Sequence, residues 1–272
     1  MSHVGREFMK LLFQKRTYFG WAGLFLVPFI ITAALRLSGG GGPPPSEQGG
    51  PEFFDLISNN GLLVAVASLF ALVAFLLPLL ASMSGSQTIA GEAENGTLRT
   101  LLMQPVRRGA VLMAKWFVAN VYIGIGLVLL ALGSLIAGGA IYGLKPLTLL
   151  TGQTVGVGES IWLIFLAYFF VLVGMATVVS LSVAFSTLTN SSLTAVGAAL
   201  VLVIIMLVLG SLSVFDFLRP YLFTSHFDAW VNLFRDPIVW DPIRDALINF
   251  AVWIVGMTGV AYLVFRRKDI LS

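Results

Sequence analysis

Six long apolar runs constrain this chain more than any other feature. Each has about 20 residues or more, the length that an α-helix needs to cross the hydrocarbon core of a bilayer. The runs are Tyr18–Leu37, Gly61–Met83, Phe117–Tyr142, Ile161–Phe185, Leu193–Val214 and Ala246–Phe265. Only Arg36, near the end of the first run, is charged. The chain is therefore predicted to be an all-α, polytopic membrane protein with six transmembrane helices.

The composition excludes several other classes of protein. Charged residues make up 11% of the chain, against about 25% in a soluble domain. The absence of cysteine excludes disulfides, thiolate nucleophiles and Cys-based metal sites. His3 and His226 each stand alone in the sequence, whereas a metal site gathers several ligands. We therefore expect no metal ion and no cofactor in this chain.

The distribution of charge predicts how the chain is oriented. Six spans place both termini on one side, together with the segment between spans two and three. That side carries eleven basic and four acidic residues, and the other side carries five and nine. By the positive-inside rule both termini are cytoplasmic. Because the basic residues sit at span ends, we expect membrane lipid and no nucleic acid as their partner.

Three further segments are predicted around the spans. Residues 1–17 form an interfacial helix, in which Phe8, Leu11 and Leu12 share one face; a plain polybasic tail is the alternative. Residues 38–60 form a Gly- and Pro-rich outer linker. Residues 215–245 form an outer amphipathic re-entrant segment.

The outer amphipathic segment is rich in aromatic residues. Phe227, Trp230, Val231 and Phe234 follow helical spacing, which predicts a short helix that dips into the outer leaflet. Such a segment could gate the outer side, or it could be an aromatic belt that only anchors the protein. Both interpretations remain open at the level of sequence.

A polar, charged island interrupts the apolar pattern between spans two and three. It reads GEAENGTLRTLLMQPVRRGAVLMAKW from Gly91 to Trp116. The pair Asn95-Gly96 favours a helix end, and Pro105 breaks the next helix. Lys115 can extend its stem and keep its ammonium at the membrane interface. The island is therefore predicted to contain a short helix between two breaks, within a cytoplasmic coupling loop at residues 84–115.

Topology alone does not account for this island. Basic residues set orientation, but acidic residues contribute little to it, so Glu92 and Glu94 need another explanation. Leu98, Leu101 and Leu102 share one side of the short helix. A small apolar face of this kind suits docking into a groove of a partner protein.

The island resembles the cytoplasmic motif of type-2 ABC exporter permeases. That family pattern has an acidic residue, one residue, Gly-Thr-Leu, a Leu pair, Pro, Arg and a Lys before the next span. The matching positions are Glu94, Gly96, Thr97, Leu98, Leu101, Leu102, Pro105, Arg107 and Lys115. The six-span layout and the aromatic loop before the last span are also similar to this family. The sequence departs from the pattern at Arg99 and Ala114, where the family often has an acid and a glycine.

The resemblance implies a role for the motif and a set of partners. In that family the loop carries a coupling helix that sits in a groove of an ATP-binding cassette ATPase subunit. These nine residues, with Glu92, are thus expected to couple the spans to the ATPase. The resemblance further implies one ABC-2-type transmembrane domain over residues 1–272 and a bacterial or archaeal inner membrane. It also implies two ATPase copies that bind ATP and Mg²⁺, and a second permease half forming a homodimer or heterodimer.

The chain itself has no motif for an ATPase. A phosphate-binding loop needs a Gly-Lys pair, and none occurs in the sequence, so we expect a non-enzymatic subunit whose ATP is hydrolysed elsewhere. The uncharged spans suit an amphipathic or hydrophobic cargo. They lack the carboxylate or histidine of most ion-coupled carriers and the nucleophile–base pair of a protease. A secondary transporter and a non-transporting membrane scaffold remain the alternatives.

Overall fold

The computed structural model describes residues 3–37, 60–97, 107–149 and 151–267. Within these ranges the chain forms nine α-helices: α1 (His3–Leu12), α2 (Lys15–Leu37), α3 (Leu62–Val73), α4 (Leu76–Ser86), α5 (Ala90–Glu94), α6 (Arg108–Tyr142), α7 (Val157–Leu188), α8 (Ser192–Ser211) and α9 (Trp240–Arg267). A two-stranded antiparallel hairpin, β1 (Leu147–Thr148) and β2 (Thr154–Val155), follows α6. Three 3₁₀ helices, Ser213–Tyr221, Phe223–His226 and Ala229–Phe234, separate α8 from α9. The predicted all-α class is confirmed.

The described helices make this a multi-pass membrane protein. Five of them, α2, α6, α7, α8 and α9, are long and apolar enough to cross a bilayer. The pair α3 and α4 adds a sixth span if the two helices are counted as one. Five of the six predicted runs therefore fall on single helices, and α6 and α9 begin well before the apolar runs that predicted them.

The second predicted span, Gly61–Met83, is not one straight helix. The axes of α3 and α4 differ by 59° across a short break, and Phe75 at the break has a non-helical backbone. Pro78 explains the break, because its ring would collide with the carbonyl of Ala74 in a continuous helix. In the first turn of α4 the same proline is tolerated, since no intrahelical bond to its nitrogen is needed there.

The predicted N-terminal helix is also shorter than residues 1–17. It ends at Leu12, and α2 begins at Lys15. The hydroxyl of Thr17 donates to the carbonyl oxygen of Leu11 at 2.8 Å and joins the two helices across the turn. Leu11 and Leu12 are half-buried and pack against the core, so this face of α1 contacts the protein itself.

Helices α6 and α7 are the most buried of the five single-helix spans, and the other helices pack around them. The indole N–H of Trp21 in α2 donates to the carbonyl oxygen of Tyr122 in α6 at 3.1 Å. A Cβ added to Gly133 would lie 2.5 Å from the carbonyl oxygen of Phe25. Glycine at this position therefore lets α2 approach α6 closely, as small residues commonly do between membrane helices.

The hairpin lies at one end of the bundle, here called the hairpin side. There the Asn60 side chain donates to the carbonyl oxygens of Lys145 and Pro146, each at 2.9 Å. The backbone N–H of Gly61 donates to the carbonyl oxygen of Gly143 at 2.9 Å. These bonds fix the start of α3 to the chain that leaves α6. The opposite end, which contains α1 and α5, is called the α1 side.

The aromatic segment before α9 differs from its prediction. It forms 3₁₀ helices, and its buried residues Phe227, Trp230 and Leu233 follow a period of three, as expected for that geometry. Phe234 is also buried, and the last 3₁₀ helix packs against α7 and α9. The predicted α-helical conformation is therefore wrong, because these aromatic side chains pack against the protein core at 3₁₀ spacing, and the position of the segment in the outer leaflet stays a prediction.

Candidate functional site

The predicted coupling residues lie on both flanks of a stretch that the structure does not describe. Leu98, Leu101, Leu102 and Pro105 fall within residues 98–106, outside the described ranges. Glu92, Glu94, Gly96 and Thr97 lie on the N-terminal flank, and Arg107 and Lys115 lie on the C-terminal flank. The described part of the site therefore consists of these two flanks and the helices that they contact.

Two lysines and two glutamates form an ion cluster on the α1 side, comprising Glu7, Lys10, Glu92 and Lys115. Lys115 of α6 donates to Glu92 Oε1 of α5 at 2.6 Å and to Glu7 Oε2 of α1 at 2.9 Å. Lys10 of α1 lies 3.0 Å from the same Glu92 oxygen and 3.4 Å from Glu7 Oε1. The ion cluster therefore connects three helices that are distant in sequence.

Lys115 does not behave as predicted. Its side chain is only 3% exposed, so its ammonium is enclosed by other helices and does not extend into solvent. Removing a charge from water into the protein interior costs free energy unless the charge is paired. Two carboxylates pair with the Lys115 ammonium here. The prediction failed because it considered only the local stem of Lys115 and not the acidic residues that other helices bring to it.

The charges in the ion cluster hold each other in their ionised forms. Burial raises the pKa of Glu92, but attraction to Lys115 and the hydrogen bonds from Lys115 and Lys10 outweigh it. The pKa of this carboxyl therefore lies below its ordinary value of 4.5. Burial lowers the pKa of Lys10, but the hydrogen bonds and attraction of Glu92 and Glu7 raise it above 10.5. Both groups are thus charged at neutral pH.

Sequence reasoning missed Glu7 as a member of this site. One signal was available, because Glu7 is one of only four acidic residues on the strongly basic side of the predicted topology. Its spacing from Lys10 on α1 also places the two residues on one helix face. Nothing in the sequence, however, indicated that this face would meet Lys115, which lies 108 positions further along the chain.

Helix α5 is joined to α7 by the side chain of Ser186. The backbone N–H groups of Ile89 and Ala90 donate to Ser186 Oγ at 3.1 and 2.8 Å. The Ser186 hydroxyl in turn donates to the carbonyl oxygen of Ser86 at 2.8 Å. These bonds satisfy N–H groups at the start of α5 that have no intrahelical acceptor. They also fix the orientation of the N-terminal flank against the spanning helix.

The helix α4 that precedes this flank packs on α7 in the same way. Ser182 donates its hydroxyl to the carbonyl oxygen of Ser82 at 2.6 Å. A Cβ added to Gly85 would lie 2.8 Å from the carbonyl oxygen of Val179, so a larger residue would separate the two backbones. Close contact between α4 and α7 therefore depends on this glycine.

Gly96 and Thr97 end α5 with a specific cap. The N–H of Thr97 donates to the carbonyl oxygen of Glu92 at 2.9 Å, and the N–H of Gly96 donates to that of Ala93 at 3.1 Å. Gly96 has a positive φ of 68°, as the residue after a Schellman-type helix end requires. The predicted helix end at Asn95-Gly96 is confirmed. The Gly-Thr pair of the motif thus has a local structural role.

Glu94 contacts the start of α8. Its Oε2 accepts hydrogen bonds from the backbone N–H of Ser192 at 3.0 Å and from the Ser192 hydroxyl at 2.5 Å. A carboxylate at this position satisfies a free N–H group and interacts favourably with the helix dipole. Glu94 is nevertheless exposed, so it links the flank to α8 at the surface of the protein.

The C-terminal flank contacts the end of α9. Arg107 is exposed and precedes α6, with its carbonyl oxygen accepting from the N–H of Ala110 at 2.9 Å. The guanidinium of Arg108 donates to the carbonyl oxygens of Phe265 and Arg266 at 3.3 and 3.1 Å. A cation at a helix C-terminus is favourable because the last carbonyl groups lack intrahelical donors. The start of α6 is thereby tied to the last span.

These contacts form a structural junction on the α1 side. In the described ranges, no three His, Cys, Asp or Glu residues are grouped to hold a metal ion. The four charges of the ion cluster are paired with one another, and the residues around them join α1, α5, α6, α7, α8 and α9.

The comparisons with known proteins identify the family. The model of the ABC-2 family transporter proteins matches residues 7–270, and the chain belongs to this family. It is similar to a probable ABC transporter permease protein NosY of Stutzerimonas stutzeri, with 41% identity over 27% of this chain and 29% of that protein. It is also similar to the probable ABC transporter permease protein NosY of Pseudomonas aeruginosa, with 44% identity over 28% of this chain and 25% of that protein.

The similarity to these two relatives is limited in length, since each match spans less than a third of the relative. The family match covers nearly the whole chain. The chain is therefore a multi-pass membrane protein of the ABC-2 transporter family.

Proposed function

We propose that this chain is the membrane half of an ATP-driven exporter for an amphipathic or hydrophobic molecule. ATP and Mg²⁺ bind to a separate ATPase subunit, which is present in two copies. A second permease half, identical or different, completes the pathway. The complex lies in the inner membrane of a bacterial or archaeal cell, with both termini and segment 84–115 in the cytoplasm.

Segment 84–115 couples the ATPase subunit to the spans in this proposal. Its contact face consists of Leu98, Leu101 and Leu102, which lie outside the described residues. The flanks of that face are both fixed to spanning helices, and this observation carries the proposal. On one flank Glu92 bonds Lys115 of α6 at 2.6 Å, and Glu94 bonds Ser192 of α8. On the other, Arg108 bonds the end of α9.

Such a junction can convert a movement of the ATPase into a movement of several helices together. Packed elements move as rigid bodies because their interfaces resist continuous deformation. A displacement of residues 98–106 would be passed to α6 through Lys115 and to α8 through Glu94. A loop that only set topology would not need a buried lysine, Lys115, that pairs with carboxylates on α1 and α5.

The remaining parts of the proposal concern cargo and layout. The apolar runs carry a single charge, Arg36, which favours a cargo that does not need a charged pathway. Residues 1–272 act as one transmembrane domain. Within it, residues 1–17 lie at the membrane surface, residues 38–60 form the outer linker, and residues 215–245 close the outer end.

Co-purification tests the coupling assignment directly. The chain is expressed with a tag from its native operon, and the purified sample is analysed for a stoichiometric ATPase subunit and for vanadate-sensitive ATP hydrolysis. We expect both with the unaltered chain. The double variant Leu98→Asp/Leu101→Asp is expected to lose both, because two carboxylates cannot be buried in an apolar groove.

A matched control separates this loss from misfolding. Leu144→Asp places the same change at a half-exposed leucine on the hairpin side, and we expect it to retain the ATPase subunit. Retention by the double variant would refute the leucine face as the contact. Flux driven by an ion gradient without the ATPase would favour a secondary carrier. A stoichiometric ATPase with no ATP-dependent flux in proteoliposomes would favour a scaffold.

A further inference from the structure

A cavity of about 350 Å³ lies beside the ion cluster on the α1 side. Its walls come from α1, the start of α2, α4, α5 and α6. The volume falls within the range of about 300–1,000 Å³ that is typical of small-molecule sites. None of the contacts that join segment 84–115 to the spans requires an open space here, so the cavity needs its own explanation.

The cavity is polar at one end and apolar at the other. Along α6 it is lined by Lys115, Val118, Ala119 and Tyr122, which share one helix face. At a rise of about 1.5 Å per residue, this face extends roughly 10 Å from the buried lysine into the bundle. A molecule that filled the cavity would therefore have a polar head near the ion cluster and an apolar part near Tyr122.

The polar wall offers acceptors more than donors. The hydroxyls of Thr17, Ser84 and Thr88 donate to the backbone carbonyl oxygens of Leu11, Ala81 and Gly85, at 2.8, 2.9 and 2.6 Å. Each hydroxyl therefore has only its oxygen lone pairs left for a ligand. A wall of this kind is complementary to a ligand head that is rich in N–H or O–H groups.

The side-chain amides of the wall reinforce this preference. Asn95 donates its Nδ2 to the carbonyl oxygen of Gly91 at 2.6 Å, which leaves its Oδ1 as an acceptor. Gln87 also lines the cavity, and its amide takes part in no hydrogen bond with the described parts of the chain. Gln87 could thus accept from a ligand head through its Oε1.

Lys10 is the replaceable member of the ion cluster. Its side chain is 53% exposed, whereas that of Lys115 is 3% exposed. Both of its bonds go to carboxylate oxygens that line the cavity, Glu92 Oε1 and Glu7 Oε1. An exposed ion pair contributes little net stability, so Lys10 can turn towards water at low cost and release these oxygens to another cation.

We propose that this cavity binds an amphipathic primary amine. The ammonium of the amine bonds Glu7 and Glu92 in the place of Lys10, and the apolar part lies against Val118, Ala119 and Tyr122. In the absence of the amine, Lys10 bonds the same two carboxylates and balances their charge. It therefore competes with the amine for the site. This binding function goes beyond export, because it does not require the amine to be the cargo.

Equilibrium binding of a fluorescent amine tests the proposal. The full chain is placed in phosphatidylcholine nanodiscs, and dansylcadaverine, a primary amine with an aromatic group, is titrated against it. Empty nanodiscs give the partition into lipid, and N-acetylated dansylcadaverine lacks the charge. We expect saturable binding of the amine above the empty discs and at least about tenfold weaker binding of the acetylated compound, since a charge-assisted hydrogen bond is lost.

Two lysine variants test the role of Lys10. Lys10→Gln removes the competitor and is expected to tighten binding about three- to fivefold, the size expected for a half-exposed ionic contact. Lys15→Gln is the matched control, because Lys15 is exposed, lies close in sequence and does not line the cavity. A gain of affinity cannot result from misfolding, so this comparison remains informative even if substitutions of Glu92 destabilise the chain.

The outcomes separate the proposal from its alternatives. Absence of saturable binding, equal affinity for the amine and its acetylated form, or equal effects of the two lysine variants would each overturn it. Nanodiscs that contain phosphatidylethanolamine identify the source of the ammonium. Competition by this lipid would assign the site to a lipid headgroup, and unchanged dansylcadaverine binding would assign it to a free amine.

Discussion

The strongest energetic prediction concerns Glu92→Gln, which removes one charge from the ion cluster and changes almost no volume. Breaking a buried ion pair costs about 3–5 kcal/mol. Lys115 keeps its 2.9 Å contact with Glu7, so we expect the lower end of this range, about 3 kcal/mol. Lys10→Gln breaks contacts of a side chain that is 53% exposed, and we expect it to cost less than about 1 kcal/mol.

The assay is unfolding of the purified chain by SDS in mixed micelles, followed by the fluorescence of its six tryptophans. A double-mutant cycle with Lys115→Met isolates the pair. Because each single change leaves a net charge in the ion cluster and the double change does not, we expect the double variant to cost about 2 kcal/mol less than the sum of the single variants. Additive effects, or a Glu92→Gln cost no larger than that of Lys10→Gln, would refute the buried ionic link.

Three further predictions follow from the same structure. Because its pKa is lowered in the folded chain, the Glu92 carboxylate contributes its full stabilisation above pH 4.5 and loses it as the pH falls through the folded-state pKa. The free energy of unfolding in SDS should therefore decrease over this acidic range, and Glu92→Gln should remove the decrease. Gly96→Ala should cost about 1 kcal/mol in the same assay, because φ is 68° there; no loss would contradict the cap. Gly138→Ala should cost about 2 kcal/mol, because its Cβ would collide with the carbonyl oxygen of Gly61; Gly124→Ala, with ordinary 3.8 Å contacts, is the control and should be nearly neutral.

The spanning helices were predictable because their physical cause is local. A run of about 20 apolar residues satisfies its own backbone hydrogen bonds in lipid, whatever the rest of the chain does. The cap at Gly96 was predictable for the same reason, since it depends on the conformational freedom of one residue. The break before Pro78 had a local signal as well, although the apolar run concealed it.

Other features depend on contacts between distant parts of the chain. The bonds of Lys115 to Glu7 and of Glu94 to Ser192 join residues that are 108 and 98 positions apart, and no periodicity in the sequence indicates them. The burial of Trp230 and Phe234 likewise depends on packing against α7 and α9. A period of three and a period of 3.6 share several of the same positions, so the aromatic spacing could not distinguish a 3₁₀ helix from an α-helix.

In the proposed mechanism, the ion cluster transmits the conformational change of the ATPase subunit from segment 84–115 to the spans. The chain has no cysteine, so Ser213→Cys introduces one thiol on the hairpin side, where the residue is exposed. The most direct measurement is the rate at which a membrane-impermeant maleimide labels this thiol in the complex with its ATPase subunit, with and without trapping by ATP and vanadate.

We predict that trapping changes the labelling rate in the otherwise unaltered chain. The change in labelling rate should disappear when Glu92→Gln is added, because the link between Glu92 and Lys115 is then lost. The ATPase subunit should still co-purify, because the leucine contact face is unaltered. Lys15→Gln is the matched control and should leave the change intact. An equal change with and without Glu92→Gln would contradict the claim that the ion cluster transmits the signal.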